Sequence, residues 1–158
     1  MASTGKKAPH DAISLLKADH RQVEAWFSEF DGARSASKKQ QLAAKICQAL
    51  IVHTTIEEEI FYPAFLEATE DKDTHHEAVV EHAGAKQLIR EIQGMSPQDE
   101  YFDAKVTVLS EMIKHHVKEE EQPGGMFAEA KKSDMDLAGL GEQLLERKRE
   151  LQSRSKAA

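Results

Sequence analysis

Apolar residues recur three and four positions apart from about residue 11 to residue 122, with almost no β-branched runs or alternating patterns. This spacing places them on one face of an α-helix, so the sequence predicts helices throughout. Four long helices are expected, at about residues 12–31, 37–68, 73–94 and 96–122. A short amphipathic segment at 126–131 and a last helix from about residue 133 should follow them.

Prolines and glycines mark the predicted helix ends. Pro63 should kink the second helix or lie in its last turn, because proline lacks an N–H donor and clashes with the preceding turn. Ser96 followed by Pro97 predicts a capped start for the fourth helix. Pro123, Gly124 and Gly125 should end that helix.

Four helices of similar length with short connections predict an all-α fold, an antiparallel up-down four-helix bundle with an additional C-terminal helix. The expected organisation is a flexible N-terminus at 1–10, the bundle at 11–131, and a C-terminal helix with a basic tail at 132–158. The last helix should lie across the bundle or form the interface of a homodimer. Its tail, RKRELQSRSKAA, is expected to be solvated.

Charge and hydropathy exclude several classes of function. The chain has 21 Lys and Arg against 28 Asp and Glu, and the resulting charge of −7 disfavours a nucleic-acid partner. No stretch approaches the roughly 18 apolar residues of a membrane span, and the opening MASTGKKAPHDA lacks the apolar block of a secretory signal. We therefore expect a cytoplasmic protein with no membrane partner. Cys47, the single cysteine, is expected to be a small buried side chain.

Histidine and glutamate repeat in one arrangement on three of the predicted helices. The pairs are His20 with Glu24, His53 with Glu57, and His116 with Glu120. Residues four apart lie on the same helix face, so an imidazole and a carboxylate can reach one cation beside the helix. The third helix has His82, so each long helix offers one histidine.

All four histidines share the apolar stripe of their helix. A lone inward histidine is usually a core residue with satisfied hydrogen bonds. Several inward glutamates are different, because a carboxylate buried without positive charge is costly. Imidazole and carboxylate ligands without a thiolate suit iron, manganese or zinc, and six inward candidates exceed the four ligands of one tetrahedral zinc.

Two assignments have competitors. His115 and Glu119 are also four apart, but Leu109 and Ile113 form a cleaner apolar stripe with His116. Glu24 could instead pair at the surface with Arg21 or Lys17. Glu58, Glu59, Glu119 and Glu121 are expected to be solvated or to support the ligands from outside.

Helix lengths place His20 and His53 at nearly the same depth in the bundle. His82 lies only about 8 residues into its helix, whereas His53 is about 15 residues from the end of its own. Helix length alone therefore predicts a poorer alignment for His82.

The segments ADHRQVEAWF, HTTIEEEIFYP, VEHAGAK and HHVKEEE, in this order, resemble the hemerythrin-like, or HHE cation-binding, family over about residues 11–130. The resemblance implies a four-helix bundle around a non-haem centre of two iron ions with an oxo or hydroxo bridge. It also implies terminal ligands and bridging carboxylates. The terminal ligands would be His20, His53, His82 and His116, and the bridges Glu57 and Glu120.

This chain departs from the oxygen-carrying members of that family. Ala78 stands where they have a second histidine on the third helix. His116 and Glu120 are four apart, whereas those members end with histidine and aspartate five apart. One iron would then keep an open position or recruit Glu24 or Tyr62, and simple reversible oxygen carriage is not expected.

Members of that family variously bind oxygen, nitric oxide or iron. We therefore expect a di-iron protein that binds oxygen, nitric oxide or peroxide in iron or redox sensing or stress handling. An alternative is a di-iron enzyme that breaks down peroxide or oxidises ferrous iron. A second alternative is a structural or interaction bundle that holds zinc or no metal.

Overall fold

The computed structural model describes residues 11–157, with side chains to residue 155. The described chain is helical throughout and contains no strand, which confirms the predicted fold class. The elements are α1 Ala12–Gly32, α2 Ala36–Ile56, a π-helical turn Glu57–Phe61, α3 Tyr62–Thr69, α4 Lys72–Gln93, α5 Phe102–Glu121, α6 Met126–Lys132 and α7 Leu137–Ala157. The predicted flexible N-terminus at 1–10 lies outside the described residues.

Three of the long helices begin at polar caps. The side chains of Asp11, Ser35 and Asp71 accept hydrogen bonds from the backbone N–H three residues later, at the starts of α1, α2 and α4. Each cap satisfies a donor that the first helical turn leaves free. The caps explain why these helices begin within about two residues of the predicted positions.

The fourth helix starts six residues later than Ser96 and Pro97 predict. Ser96 instead caps a separate turn, in which its Oγ accepts from the N–H of Gln98 and its own N–H donates to Asp99. The chain enters α5 only at Phe102, whose side chain is fully buried. The capping signal was therefore genuine, but it belongs to the connection.

The second helix does not end at Pro63. A π-helical turn comes directly before it, and the N–H of Tyr62 bonds to the carbonyl of Glu57, five residues back. Pro63 then lies in the first turn of α3, where its missing donor costs little. The helix continues to Thr69 and stops where Glu70 takes a left-handed conformation, with φ of 58°.

The QPGG segment ends α5 as predicted. Gln122 is the C-terminal cap, and Gly124 has φ of 78°, a conformation that favours glycine. A side chain at Gly125 would collide with the backbone oxygen of Glu119, so the chain turns closely around the end of α5.

The long helices α1, α2, α4 and α5 contact one another in that order around the bundle, and α5 returns to α1. Two apolar clusters fill the interior. One includes Phe27, Leu50 and Leu109, and the other includes Leu16 and Phe61 together with residues of α6 and α7. The inward histidines lie between the two clusters along their helices, so the site interrupts the core near its middle.

The C-terminal helix packs on its own bundle. Leu144 is fully buried in the second cluster, and α7 contacts α1, α2 and the π-helical turn. Its apolar face is thus used within the chain, and the predicted homodimer would have to form through the outer face.

The prediction that the basic tail is solvated is wrong for its first residues, which form ion pairs with the bundle. Arg147 pairs with Glu59 at 2.8 Å, and Lys148 pairs with Asp19 at 2.5 Å. These acidic partners lie on the surface that α7 covers, so helix packing brings the charges together. Among the described helices, none combines the length and apolar character needed to cross a membrane.

Candidate metal centre

The six residues predicted as ligands converge in the middle of the bundle. All are buried, with exposed fractions of 6% or less. They are His20 on α1, His53 on α2, Glu57 in the π-helical turn, His82 on α4, and His116 and Glu120 on α5. Four helices and the π-helical turn's widened backbone therefore place imidazoles and carboxylates in one water-poor volume.

The carboxylate of Glu57 has one oxygen on each side of this volume. Its Oε2 lies 3.4 Å from Nε2 of His53, and its Oε1 lies 3.0 Å from Nε2 of His82. Glu120 is arranged in the same way. Its Oε1 lies 3.2 Å from Nε2 of His20, and its Oε2 lies 3.0 Å from Nε2 of His116.

These contacts define two groups of donor atoms. His20, His53, Glu57 and Glu120 form the first group, and Glu57, His82 and His116 form the second. In each group the ligand atoms all lie within 4.8 Å of one another, close enough to hold one cation. Glu57 belongs to both groups, and Glu120 offers its second oxygen to His116, as carboxylates that bridge two cations would do.

The first group suits a cation because its buried polar atoms lack hydrogen-bond partners. Nε2 of His20, Nε2 of His53, Oε2 of Glu57 and Oε1 of Glu120 are buried and have no hydrogen-bond partner. Buried polar atoms are almost always satisfied, and a bound ion is one reason for an exception. Four such atoms that face each other could hold a metal ion.

Tyr62 occupies the second group. Its hydroxyl lies 2.9 Å from Oε1 of Glu57 and 2.7 Å from Oε2 of Glu120, and it can donate its single proton to either. It also lies 3.1 Å from Nε2 of both His82 and His116. Burial, followed by the charges of Glu120 and Glu57, raises its pKa well above the usual value. The phenol therefore stays protonated in the metal-free protein. The sequence offered Glu24 or Tyr62 as the residue that completes the site, and Tyr62 is the one that lies among the inward residues.

Glu24 lies outside the centre. Its carboxylate is 3.2 Å from Nε of Arg21, and both side chains are more than a third exposed, so it forms the surface pair that sequence reasoning offered as an alternative. His115 is also at the surface, 63% exposed, and pairs with Glu81 and Glu119. His116, by contrast, is turned inward.

The depth mismatch expected for His82 does not arise, because His82 meets Glu57 and Tyr62 rather than His53. Glu57 is one turn further along the second helix, 12 residues from its end at Thr69, while His82 is 10 residues beyond Lys72 at the start of α4. His82 is thus aligned with the π-helical turn.

Four further carboxylates hold the outer nitrogens of the histidines. Nδ1 of His53 lies 2.9 Å from Asp19, and Nδ1 of His82 lies 2.7 Å from Glu58. Nδ1 of His116 lies 2.6 Å from Glu81, and Nδ1 of His20 lies 2.5 Å from Glu121. A carboxylate on Nδ1 fixes the proton there and turns Nε2 toward a metal. All four Nε2 atoms point into the centre accordingly.

These outer pairs close a ring around the bundle. In each pair the carboxylate and the imidazole come from different segments. A carboxylate of α1 contacts α2, one of the π-helical turn contacts α4, one of α4 contacts α5, and one of α5 contacts α1. Sequence reasoning missed Asp19 and Glu81. The signal was present, because each outer carboxylate directly adjoins an inward residue in the sequence.

Electrostatics in the metal-free centre favours protonated imidazoles. Burial lowers the pKa of His53, but the charge of Glu57 and the hydrogen bond to Asp19 outweigh it and raise the pKa to about 10. The pKa of His116 is raised well above its usual value because Glu120 and Glu81 similarly outweigh burial. Protons thus supply the positive charge that the buried carboxylates need.

A cavity of about 320 Å³ adjoins the centre. All four inward histidines line it, and most of its remaining wall is apolar, including Val23, Trp26, Leu50, Ala85 and Ile113. Lys148 and Gln152 of α7 also border it. The cavity has room for a small uncharged molecule next to the imidazoles.

Comparison with known proteins gives one solved structure of the same fold. It is a hemerythrin HHE cation binding domain-containing protein from Mycobacterium kansasii, a homolog of Rv2633c. The two structures align with a TM-score of 0.77 over 93% of this chain and 90% of the other, at 20% sequence identity. At that identity the likeness concerns the fold.

A curated relative is a DNA nickase from Nostoc sp. (strain PCC 7120 / SAG 25.82 / UTEX 2576). It is 29% identical over 107 residues, which are 68% of this chain. The chain spans about 30% of the length of that relative.

The family match covers most of the chain. Residues 11–123 match the family described as Hemerythrin, the Hemerythrin HHE cation binding domain. This range contains the four long helices and all six inward histidines and glutamates. The chain belongs to the hemerythrin HHE cation-binding family.

Proposed function

We propose that this chain is a non-haem di-iron protein that binds oxygen, nitric oxide or peroxide in iron or redox sensing or stress handling. The main support is the set of four buried polar atoms without hydrogen-bond partners, on His20, His53, Glu57 and Glu120. A folded protein keeps such atoms unmet only where something else satisfies them. A cation satisfies all four at once.

The ligand assignment follows from the two groups of donor atoms. His20 and His53 would hold one iron, and His82 and His116 the other, while Glu57 and Glu120 would reach both. Nitrogen and oxygen donors without sulfur suit iron, and Cys47 belongs to the apolar cluster rather than to the site. Two bridging carboxylates favour two cations over one zinc.

Two iron ions would supply electrons and Lewis acidity to a small ligand. The protein's own contribution is selection. The apolar wall of the adjoining cavity admits uncharged diatomic molecules and peroxide more readily than anions or polar metabolites. The outer carboxylates hold the imidazoles in place while a ligand exchanges.

Peroxide breakdown or ferrous oxidation is the second candidate, and Tyr62 favours it. Its hydroxyl is a buried hydrogen-bond donor in the middle of the site, 2.7 Å from Glu120 and 2.9 Å from Glu57. A fixed donor at this place could hold a proton for a reacting oxygen atom. A pure gas-binding protein has less need of it.

DNA nicking is not part of the proposal. The Nostoc relative named for that activity aligns with this chain over 107 residues, which are only about 30% of the relative's length. The net charge of −7 also disfavours contact with a phosphate backbone.

The test is anaerobic loading with ferrous iron, followed by elemental analysis and exposure to nitric oxide, oxygen or peroxide. We expect about two iron ions per chain and a spectrum that changes with the gas. One tightly held zinc with no affinity for a second metal would contradict the proposal. Sustained turnover of peroxide by the loaded protein would favour the second candidate over the first.

A further inference from the structure

A third group of metal-binding side chains lies on the surface between α4 and α5. Nε2 of His115 is 3.1 Å from Oε2 of Glu119 and 3.3 Å from Oε2 of Glu81. The three ligand atoms lie within 4.8 Å of one another. His115 is 63% exposed and Glu119 is 38% exposed, so the group is open to solvent.

A cavity of about 160 Å³ is lined both by the two carboxylates of this group and by residues of the buried centre. Glu77, Glu81 and Glu119 contribute to its lining, and so do the inward residues His116 and Glu120. Glu120 is 1% exposed, and its Oε1 is one of the atoms without a hydrogen-bond partner. The cavity is therefore bordered by exposed carboxylates and by a buried residue of the centre.

The charge of this cavity suits a cation. Within the described chain, the carboxylates of Glu81 and Glu119 form ion pairs with histidines but with no lysine or arginine. Nε2 of His115 lies within 3.3 Å of an oxygen of each carboxylate, so a divalent cation at this place would be attracted by both.

The larger cavity beside the centre differs in character. Its wall is mostly apolar and includes Lys148, although Asp19 and Glu81 also line it. An apolar wall with a lysine disfavours a cation in transit, so we expect cations to favour the smaller and more acidic cavity.

We propose that Glu81, His115 and Glu119 form a surface site for a divalent metal ion, from which the cavity lined by Glu77 and Glu120 leads the ion to the buried centre. The surface site stands on its own geometry, whereas its role in loading rests on the proposed function. Glu81 joins the two, because its Oε1 also holds Nδ1 of His116 at 2.6 Å.

The first experiment measures the surface site alone. The full chain is loaded to its inner capacity and titrated with Mn²⁺, and free Mn²⁺ is followed by electron paramagnetic resonance. We expect one further Mn²⁺ per chain, bound about tenfold or more weakly by the double variant His115→Ala/Glu119→Gln. Glu29→Gln, on α1 near Lys38, is the matched exposed control and should bind as the parent does. Equal Mn²⁺ binding by the parent and the double variant would overturn the surface site.

The second experiment measures the route. Metal-free protein is mixed with ferrous iron without oxygen, and the rate of uptake and the final iron content are recorded. The double variant should load several-fold more slowly and reach the same final content, because no inner ligand is changed. Equal rates in the parent and the double variant would overturn the route.

These readouts also separate the two proposals. If the parent takes up no inner iron, the proposed function fails, while the difference in Mn²⁺ binding still decides the surface site. If inner iron is bound but Mn²⁺ binding is unchanged by the double variant, only the surface site fails.

Discussion

Asp19 of α1 holds Nδ1 of His53 on α2 at 2.9 Å, and Lys148 of α7 holds the other oxygen of the same carboxylate. A C-terminal side chain thus reaches a predicted metal ligand through a single residue. The carboxylate fixes which nitrogen of His53 carries a proton, so Nε2 remains free for a metal. The position of Asp19 is itself fixed by two partners.

Asp19→Asn should therefore weaken metal binding. Asparagine keeps the size of the side chain but loses the charge that orients His53, and we expect metal affinity to fall about tenfold. Competition with a calibrated chelator measures it. Asp31→Asn, an exposed change at the end of the same helix, is the control and should leave affinity unchanged.

Glu57→Ala should lower the metal content of the protein by at least one ion per chain. Glu57 faces both groups of donor atoms, so its removal deprives each of an oxygen. Glu59→Ala removes only the surface pair with Arg147 and should leave the metal content unchanged. Elemental analysis of both variants is the measurement, and full occupancy in Glu57→Ala would contradict the assignment.

His116→Ala and His115→Ala distinguish neighbouring residues on one helix. Successive residues are rotated by about 100°, which turns His116 inward and His115 to the surface. We expect His116→Ala to lose inner metal and His115→Ala to retain it at equilibrium. Equal losses of inner metal in the two variants would show that the site is misassigned.

Tyr62→Phe should destabilise the metal-free protein more than the metal-loaded one. Without metal, the hydroxyl satisfies oxygens of Glu57 and Glu120, and its loss should lower the free energy of unfolding by about 1–3 kcal/mol. A bound metal would satisfy the same oxygens. Urea unfolding with and without metal measures the difference, which would be the same in both forms if Tyr62 only filled space.

The stability of the metal-free protein should fall as the pH rises above about 6.5. His53 has its pKa raised to about 10 in the folded chain, so its proton stabilises the fold fully below its unfolded pKa, and that contribution is lost as the pH approaches 10. In the metal-loaded protein this alkaline loss should be absent, because a ligating imidazole is already neutral. Urea unfolding across this pH range, with and without metal, checks both expectations. Equal slopes in the two forms would contradict them.

The pattern of apolar residues was sufficient to predict the four helices and the inward faces of the histidines. His20, His53, His82 and His116 follow their stripes because helical period alone decides which residues share a face. The same reasoning placed His116 inside and His115 outside. The face on which a residue lies depends only on its position within its own helix, so it can be predicted from the sequence.

The outer carboxylates could not be found in this way, because each depends on the packing of two helices. Asp19 lies one residue before His20, but it acts on His53 of the neighbouring helix. The helix start predicted at Ser96 was wrong for a different reason, since a capping serine in the sequence can precede a single turn as well as a helix. Tyr62 was recognised only as an option, because in a regular α-helix it would not share a face with Glu57.

The π-helical turn is equivalent to one extra residue inserted into an otherwise regular helix. Residues five apart on an α-helix point about 140° away from each other, yet Glu57 and Tyr62 meet at 2.9 Å across this turn. The segments before and after it therefore keep separate rotational registers. The extra residue lets α2 present His53 and α3 present Tyr62 to the same centre, although residues nine apart on a regular α-helix point in opposite directions.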